Sequence, residues 1–149
     1  MKKCLFLIVC LSILLTGCSQ SDIVGIPNGY IDKYEYYQKD GFQDYTDYAK
    51  YIYSSKDDVI KDKKYKKILS KDVDDIKGYF DDFSLSMESS NRMDEYDFDD
   101  SIISEGDYVR VETKEVEKVG DYEYGKYENY SVYFFDVDSL TLYYIHNNV

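Results

Sequence analysis

The chain of 149 residues is poor in the residue types that most often do chemistry. It contains one histidine, His146, three cysteines and no tryptophan. All three cysteines lie at or before Cys18, so the rest of the chain has no thiol for a disulfide or a metal. A serine nucleophile would need His146 as its base, and no nucleophile elbow, phosphate-binding glycine loop or zinc-ligand spacing is present. The sequence therefore favours a protein that is not an enzyme.

Basic residues are also scarce, with 18 lysines and arginines against 30 aspartates and glutamates, a net charge of −12. An excess of acid repels phosphates and argues against nucleic acid as a partner. It favours solubility and cationic partners. The charge is unevenly spread: residues 56–71 hold seven lysines and three acids, whereas residues 72–107 hold 13 acids and two bases.

The N-terminus has the order of a secretory leader. Lys2 and Lys3 precede an apolar run from Cys4 to Leu15, which is followed by Thr16, Gly17 and Cys18. A charged start, a short apolar segment and small residues are typical of a cleaved signal peptide, and the run is shorter than the roughly 20 residues of a membrane-spanning helix.

The motif Leu15-Thr16-Gly17-Cys18 resembles the lipobox of bacterial lipoprotein precursors. The resemblance implies cleavage before Cys18, attachment of diacylglycerol to its thiol, and a place at the outward-facing side of the cell membrane. Two or more acyl chains anchor a protein stably. The sequence is accordingly divided into a signal peptide (1–17), a lipidated tether (18–29) and a single domain (30–149). Without the two lysines of the leader, the balance is 16 basic to 30 acidic residues, or −14.

The first half of the domain has apolar residues at helical spacing. Phe42, Tyr45, Ala49, Ile52 and Tyr53 follow helical spacing, which predicts a helix over 43–54. Ser55 can cap a second helical segment. The clearest stripe is Val73, Ile76, Phe80 and Phe83, which Met87 could extend. Residues 30–37 fit either a strand or a helix.

The period changes from 3.6 to 2 after Gly106. Alternation over 107–113, 130–137 and 140–146 predicts strands, and Asp136-Val137-Asp138-Ser139 has the composition of a turn. Pairing Asp136 with Ser139 would place Phe135 opposite Leu140, with large side chains on both faces of the hairpin. The sequence thus predicts an α+β fold in which N-terminal helices pack on a C-terminal antiparallel meander of three to four strands.

The C-terminal pattern, Gly-Asp-Tyr followed by Tyr-Ser-Val-Tyr-Phe-Phe-Asp and Leu-Tyr-Tyr-Ile-His, is similar to that of small uncharacterised exported proteins of no named family. No activity comes with that resemblance. The chain has 19 tyrosines. Tyrosine-rich surfaces bind well because the ring is stiff and amphipathic, although a codon bias toward Lys, Asp, Tyr and Ile would produce the same abundance. The tyrosines nominated for partner binding are Tyr130, Tyr133, Tyr143 and Tyr144.

Two further clusters have alternative interpretations. The lysines at 61, 63, 64, 66 and 67 would suit anionic lipid headgroups or form a solvated face. The segment 94–100 offers hard oxygen ligands for calcium, and the candidate ligands are Asp94, Asp97, Asp99 and Asp100. It lacks the glycine at position six and the glutamate at position twelve of an EF-hand loop read from Asp97.

Three functions remain open on the sequence. The first is a non-enzymatic, membrane-tethered binding module that shields the cell or confers immunity against a cationic peptide or effector. The second is an accessory subunit of an envelope transporter or cell-wall complex. The third is a small hydrolase based on two carboxylates, whose residues the sequence cannot nominate.

Overall fold

The structure, a computed structural model, describes residues 23–37, 45–114, 117–119 and 122–148. Eight strands lie within these residues. They are β1 (Tyr30–Tyr37), β2 (Tyr45–Tyr53), β3 (Lys66–Lys67), β4 (Tyr108–Thr113), β5 (Glu117–Val119), β6 (Tyr122–Tyr124), β7 (Asn129–Asp136) and β8 (Thr141–Asn148).

Two α-helices accompany the strands: a short one, α1 (Asp57–Ile60), and a long one, α2 (Val73–Ser89). Single 3₁₀ turns occupy Ser70–Asp72, Met93–Glu95 and Asp100–Ile102. The predicted stripe of α2 is confirmed, because Ile76, Phe80, Phe83 and Met87 are all buried. Position 78 of this helix suits glycine, because the Cβ of any other residue would lie only 2.7 Å from the Tyr127 hydroxyl and clash with it.

Six strands form one antiparallel sheet in the order β1-β2-β8-β7-β4-β3, while β5 and β6 form a separate two-stranded ribbon. The predicted architecture is therefore wrong. The N-terminal part of the domain supplies strands β1 and β2 to the sheet, and α2 is the main helix. The C-terminal strands β7 and β8 are not a separate meander but the middle of a sheet that β1 and β2 extend.

The helix predicted over 43–54 is the strand β2. This strand lies between β1 and β8, and side chains are buried on both of its faces. Tyr48 packs toward α2, whereas Ala49 and Tyr51 pack on the opposite side. A strand that is covered on both faces loses simple alternation, so its apolar positions can imitate helical spacing. Its tyrosines, threonine and isoleucine are nonetheless residues that strands prefer.

The predicted register of the C-terminal hairpin is shifted by two residues. Asp136 pairs with Thr141 and Phe135 with Leu142, around a four-residue loop. The Asp136 carboxylate closes this loop by accepting hydrogen bonds from Asp138 N (2.9 Å) and Ser139 Oγ (2.6 Å), and Leu140 takes a positive φ of 56°. A shift of two residues keeps every side chain on its face, so the prediction of two covered faces survives.

The face of the sheet that carries α2 is called the helix face. Phe80, Phe83 and Met87 of the helix pack there on Val132, Phe134 and other sheet residues. A polar contact crosses this core, because the Tyr130 hydroxyl donates to Asp82 Oδ2 (2.9 Å) and Asn147 Nδ2 donates to the same oxygen (3.2 Å). The helix is thus fixed on the sheet by apolar burial and by hydrogen bonds.

The opposite face is called the tyrosine face. Its buried residues include Tyr30, Tyr51, Tyr53, Tyr65, Tyr133 and Tyr144. Two segments cover part of it: residues 23–29, which are irregular, through Ile23 and Ile26, and residues 57–65, which include α1, through Val59 and Tyr65. The sequence predicts a tether over 18–29, but residues 23–29 pack on the sheet; residues 18–22 lie outside the described residues.

Candidate functional site

An acidic layer covers the helix face. We use this name for α2 together with residues 90–105, which pack on that face through Phe83, Tyr96 and Ile103. Most of its carboxylates point outward because the apolar side of each segment is taken by the core, and Asp82, which accepts from Tyr130 and Asn147, is an exception. The exposed acidic residues of the layer are Asp74, Asp75, Asp81, Glu88, Asp94, Asp97, Asp99 and Glu105.

Hydrogen bonds from the sheet fix the C-terminal part of this layer. Asp97 accepts from the Tyr48 hydroxyl (2.7 Å) and from Lys50 Nζ (2.5 Å), both on β2. The Tyr34 hydroxyl donates to Glu95 Oε2 (2.7 Å), and this bond, followed by partial burial, raises the pKa of Tyr34 to about 12. These hydrogen bonds tie Glu95 and Asp97 of the acidic layer to the sheet.

A pocket of about 220 Å³ lies within the acidic layer. Its lining combines the rings of Phe80, Tyr96 and Phe98 with the carboxylates of Asp81, Asp99 and Asp100. Phe98 stacks on Phe80 with ring centroids 4.1 Å apart, and both rings are held against the sheet by Phe134. Aromatic rings beside carboxylates are suited to the stem and head of a lysine or arginine side chain. We call this site the cation pocket.

The sequence predicts only part of the cation pocket. The alternation Tyr96-Asp97-Phe98-Asp99 contains the signal, since it directs the aromatic rings inward and leaves the acids at the surface. Asp81 could not be found this way, because it comes from α2 and meets Asp99 and Asp100 only after the layer has folded. Asp94, which was nominated with them, does not line the pocket.

The calcium ligands nominated from sequence are engaged with protein groups. Asp99 Oδ1 accepts from the backbone nitrogen of Ser101 (2.9 Å), and Asp100 pairs with Lys77 (3.4 Å). Asp97 is bonded to Tyr48 and Lys50 as described above. In the part of the chain that the structure describes, no group of three or more histidines, cysteines, aspartates and glutamates is arranged to hold a metal ion. Calcium binding at this segment stays a prediction, which a direct binding experiment can test.

The four tyrosines nominated for partner binding lie mostly in the core. Tyr130, Tyr133 and Tyr144 are buried, with exposed fractions of 1%, 3% and 6%. Only Tyr143 is partly exposed, on the wall of a pocket of about 300 Å³ that also involves Lys50. They also point to different faces, Tyr130 and Tyr143 toward the helix and the other two away from it. They do not form one surface.

A third cavity, a groove of about 530 Å³, lies on the tyrosine face beside Ile23 and Val24. Tyrosine rings from β1, β2, β7 and β8 line it, and the carboxylates of Asp47 and Glu112 are at its walls. The guanidinium of Arg110 lies close by, donating to Glu112 (2.5 Å) and resting over the Tyr133 ring at 4.7 Å.

His146 and Ser131 also line this groove, with Ser131 Oγ 2.9 Å from His146 Nδ1. Burial lowers the pKa of His146, so the imidazole is neutral at pH 7. In a catalytic triad the second ring nitrogen is bonded to a carboxylate that orients the base. Asp47 is aligned with His146 on the neighbouring strand, but the buried Nε2 has no hydrogen-bond partner among the described residues. The pair therefore lacks the orienting group of a triad.

Cys18 and the rest of the leader motif lie outside the described residues. Among the residues that are described, no helix has the length and apolar character needed to cross a membrane. Comparison of the chain with protein-family models, with curated proteins and with solved structures found no match.

Proposed function

We propose that this protein is a lipid-anchored, outward-facing binding module, without enzymatic activity, that captures a cationic partner on its acidic layer. The partner class is a basic peptide or a protein with a basic surface. Binding at the membrane would shield the cell from such a molecule or confer immunity to it. The observation that carries the proposal is the cation pocket, whose lining combines the rings of Phe80, Tyr96 and Phe98 with the carboxylates of Asp81, Asp99 and Asp100, the last of them paired with Lys77.

The size and chemistry of the pocket support a side-chain cation as the bound group. A volume of about 220 Å³ suits one lysine or arginine side chain better than a drug-sized ligand, whose pockets usually start near 300 Å³. A guanidinium can bond to two carboxylates at once, and its flat face can stack on a ring. The carboxylates around the pocket add long-range attraction for a basic partner and would speed its association.

The anchor rests on the lipobox resemblance at Cys18. Attachment of lipid there would concentrate the module at the membrane, where cationic amphipathic peptides act. Replacing Cys18 with alanine should abolish lipid attachment, which mass spectrometry of the membrane-extracted protein measures directly. Unchanged lipidation would contradict the anchor without touching the binding proposal.

The binding proposal is tested with an arginine-rich peptide and two variants of equal charge. Asp81→Asn with Asp99→Asn removes two carboxylates of the cation pocket, and asparagine at 99 keeps a side-chain oxygen for the Ser101 nitrogen. Asp74→Asn with Glu88→Gln removes two exposed carboxylates of α2 that do not line the pocket. Isothermal titration calorimetry should show about a tenfold weaker Kd for the pocket variant and a change of about twofold or less for the control.

Equal losses in both variants would show attraction by overall charge alone, and no binding by the parent protein would contradict the proposal. Salt adds a second criterion, because binding between exposed charges weakens steeply as ionic strength rises. Capture of a membrane protein that resists high salt would instead favour an accessory subunit of an envelope complex.

A further inference from the structure

A lysine surface begins in the segment 57–65 that covers the tyrosine face and continues along the edge strand β3. It consists of Lys61, Lys63, Lys64, Lys66 and Lys67, all of them exposed. Lys61 pairs with Asp58 (3.3 Å), whereas the other four have no carboxylate within ion-pair distance in the described part of the chain. In contrast, Lys33, Lys50, Lys77 and Lys126 each pair with a carboxylate. In a chain so rich in acid, four adjacent unpaired lysines leave a local positive field.

The lysine surface is continuous with the segment that enters from the proposed anchor. Val59 and Tyr65 flank the first lysines and pack on the tyrosine face, as Ile23 and Ile26 do. The two segments touch, because the Tyr65 hydroxyl lies 3.5 Å from the Gly25 carbonyl oxygen and a Cβ at Gly29 would lie 3.2 Å from the Asp58 carboxylate. The entering chain and the lysine surface therefore belong to one layer.

The distance from that layer to the membrane is limited by the chain. Ile23 follows Cys18 by five positions, and five extended residues span at most about 18 Å. The chain thus keeps the domain within about 18 Å of the headgroups and lets it approach them more closely. Within one Debye length, about 8 Å at physiological salt, a positive layer is attracted to an anionic leaflet and an acidic layer is repelled by it.

We infer that the lysine surface docks on anionic phospholipid headgroups and orients the anchored domain with its acidic layer facing away from the membrane. The inference rests on the proposed anchor at Cys18 and goes beyond it, since an acyl chain alone fixes no orientation. The acids of the same segment, Asp57, Asp58 and Asp62, do not cancel the field of the lysines: residues 56–67 contain six lysines and three aspartates.

The test uses the full lipidated protein in two kinds of vesicle, one of phosphatidylcholine alone and one with about a third phosphatidylglycerol. A water-soluble amine-acylating reagent is applied, and modification of each lysine is measured by mass spectrometry. We expect Lys61, Lys63, Lys64, Lys66 and Lys67 to be modified at least threefold more slowly on the anionic vesicles, and the difference to disappear in high salt. Lys77, in the acidic layer, serves as the internal control and should react equally on both.

Matched variants separate a local lysine effect from a change in net charge. Lys63→Gln, Lys64→Gln, Lys66→Gln and Lys67→Gln together lower the net charge by four. Leu85→Glu, Ser89→Asp, Ser90→Asp and Met93→Glu lower it by the same amount at exposed positions of the acidic layer. The glutamine variant should leave Lys61 equally reactive on both vesicles, whereas the control should keep Lys61 slower on the anionic ones.

Flotation of the vesicles distinguishes failure of the orientation from failure of the anchor. Protein that floats with neither vesicle lacks the anchor, and the proposed localisation falls with the inference. Protein that floats with both but shows equal lysine modification keeps the anchor and overturns the orientation. Protection that is equal on neutral vesicles and grows with protein density also overturns it, and indicates instead the acidic layer of a second copy.

Discussion

The two faces of the sheet are covered by different means. The helix face is covered by α2, a regular element of 17 residues whose backbone hydrogen bonds are mostly internal, together with residues 90–105. The tyrosine face is partly covered by residues 23–29, which have no regular structure and whose carbonyls need outside donors. The hydroxyls of Tyr53 and Tyr133 donate to the carbonyls of Pro27 (2.7 Å) and Val24 (2.9 Å).

This difference gives the tyrosines a structural role. A phenol ring buries apolar area as phenylalanine does, and its hydroxyl also satisfies a carbonyl of an irregular covering segment. The buried phenylalanines are unevenly distributed: Phe80, Phe83 and Phe134 lie on the helix face beside four buried tyrosines, whereas Phe135 lies on the tyrosine face beside six. The excess of tyrosine over phenylalanine is thus greater on the face that residues 23–29 cover, whatever codon bias also contributes.

The largest loss of stability is expected from a substitution in the core of the helix face. Phe83 has no exposed surface, so Phe83→Ala should leave a cavity between α2 and the sheet and lower the free energy of unfolding by about 3–5 kcal/mol. Leu85, two residues on and 64% exposed, is the control, and Leu85→Ala should change the stability by less than about 0.5 kcal/mol. Urea unfolding measures both; similar losses would contradict the assignment of the buried stripe.

A smaller loss of stability is expected when equivalent ion pairs on the two faces are removed. Glu35 accepts from Lys33 and Tyr51 on the tyrosine face, and Asp97 accepts from Lys50 and Tyr48 on the helix face. The Glu35 side chain is 14% exposed and that of Asp97 is 65% exposed. Glu35→Gln should therefore lower the stability at pH 7 by about 1–2 kcal/mol, and Asp97→Asn by clearly less because solvent screens it.

The stability of Glu35→Gln should depend on pH differently from that of the parent protein. Partial burial opposes the shift, but the hydrogen bonds from Lys33 and Tyr51 lower the pKa of Glu35 below its usual 4.5. A lowered carboxylate pKa stabilises the fold above the unfolded value, and the contribution is lost as the pH falls from about 4.5 through the folded pKa. Glu35→Gln should lack that part of the acid destabilisation in melts between pH 6 and 3. Parallel curves for the parent and the variant would contradict this.

A still smaller effect separates two neighbouring tyrosines on the tyrosine face. Tyr53→Phe removes the donor to the Pro27 carbonyl and should cost about 1 kcal/mol. Tyr30, whose ring packs edge-on against Tyr53, has a buried hydroxyl with no hydrogen-bond partner among the described residues. Tyr30→Phe should be neutral or slightly stabilising, which thermal melts of the two variants can resolve. A larger loss at Tyr30 would contradict the role given to the hydroxyls.

The smallest expected effect concerns calcium at the acidic layer. Since Asp97, Asp99 and Asp100 are engaged with protein groups, we expect millimolar calcium to move the Tm by no more than about one degree relative to chelator, in line with weak screening. A melt with each additive measures it. A shift of several degrees, lost in Asp99→Asn but kept in Asp74→Asn, would restore the calcium site.

Local patterns predict some elements well and others poorly. The stripe of α2 is fully local, since each buried residue lies three or four positions from the next, and its prediction is confirmed. The strand β2 could not be read in this way, because its two buried faces depend on what packs above and below it. The cation pocket could not be predicted from local patterns for a similar reason: Asp99 and Asp100 are adjacent in sequence, whereas Asp81 comes from another element.

By itself, the sequence determined the long helix, the two strands of the C-terminal hairpin and the segregation of charge along the chain, because periodicity and composition are local properties. Only the tertiary structure decided that residues 45–53 form a strand, that a four-residue loop sets the hairpin register, and that residues 23–29 pack on the tyrosine face. It also decided that the acidic layer packs on the helix face and that residues 57–65, with three of the clustered lysines, pack on the tyrosine face, because that placement depends on which face each segment buries.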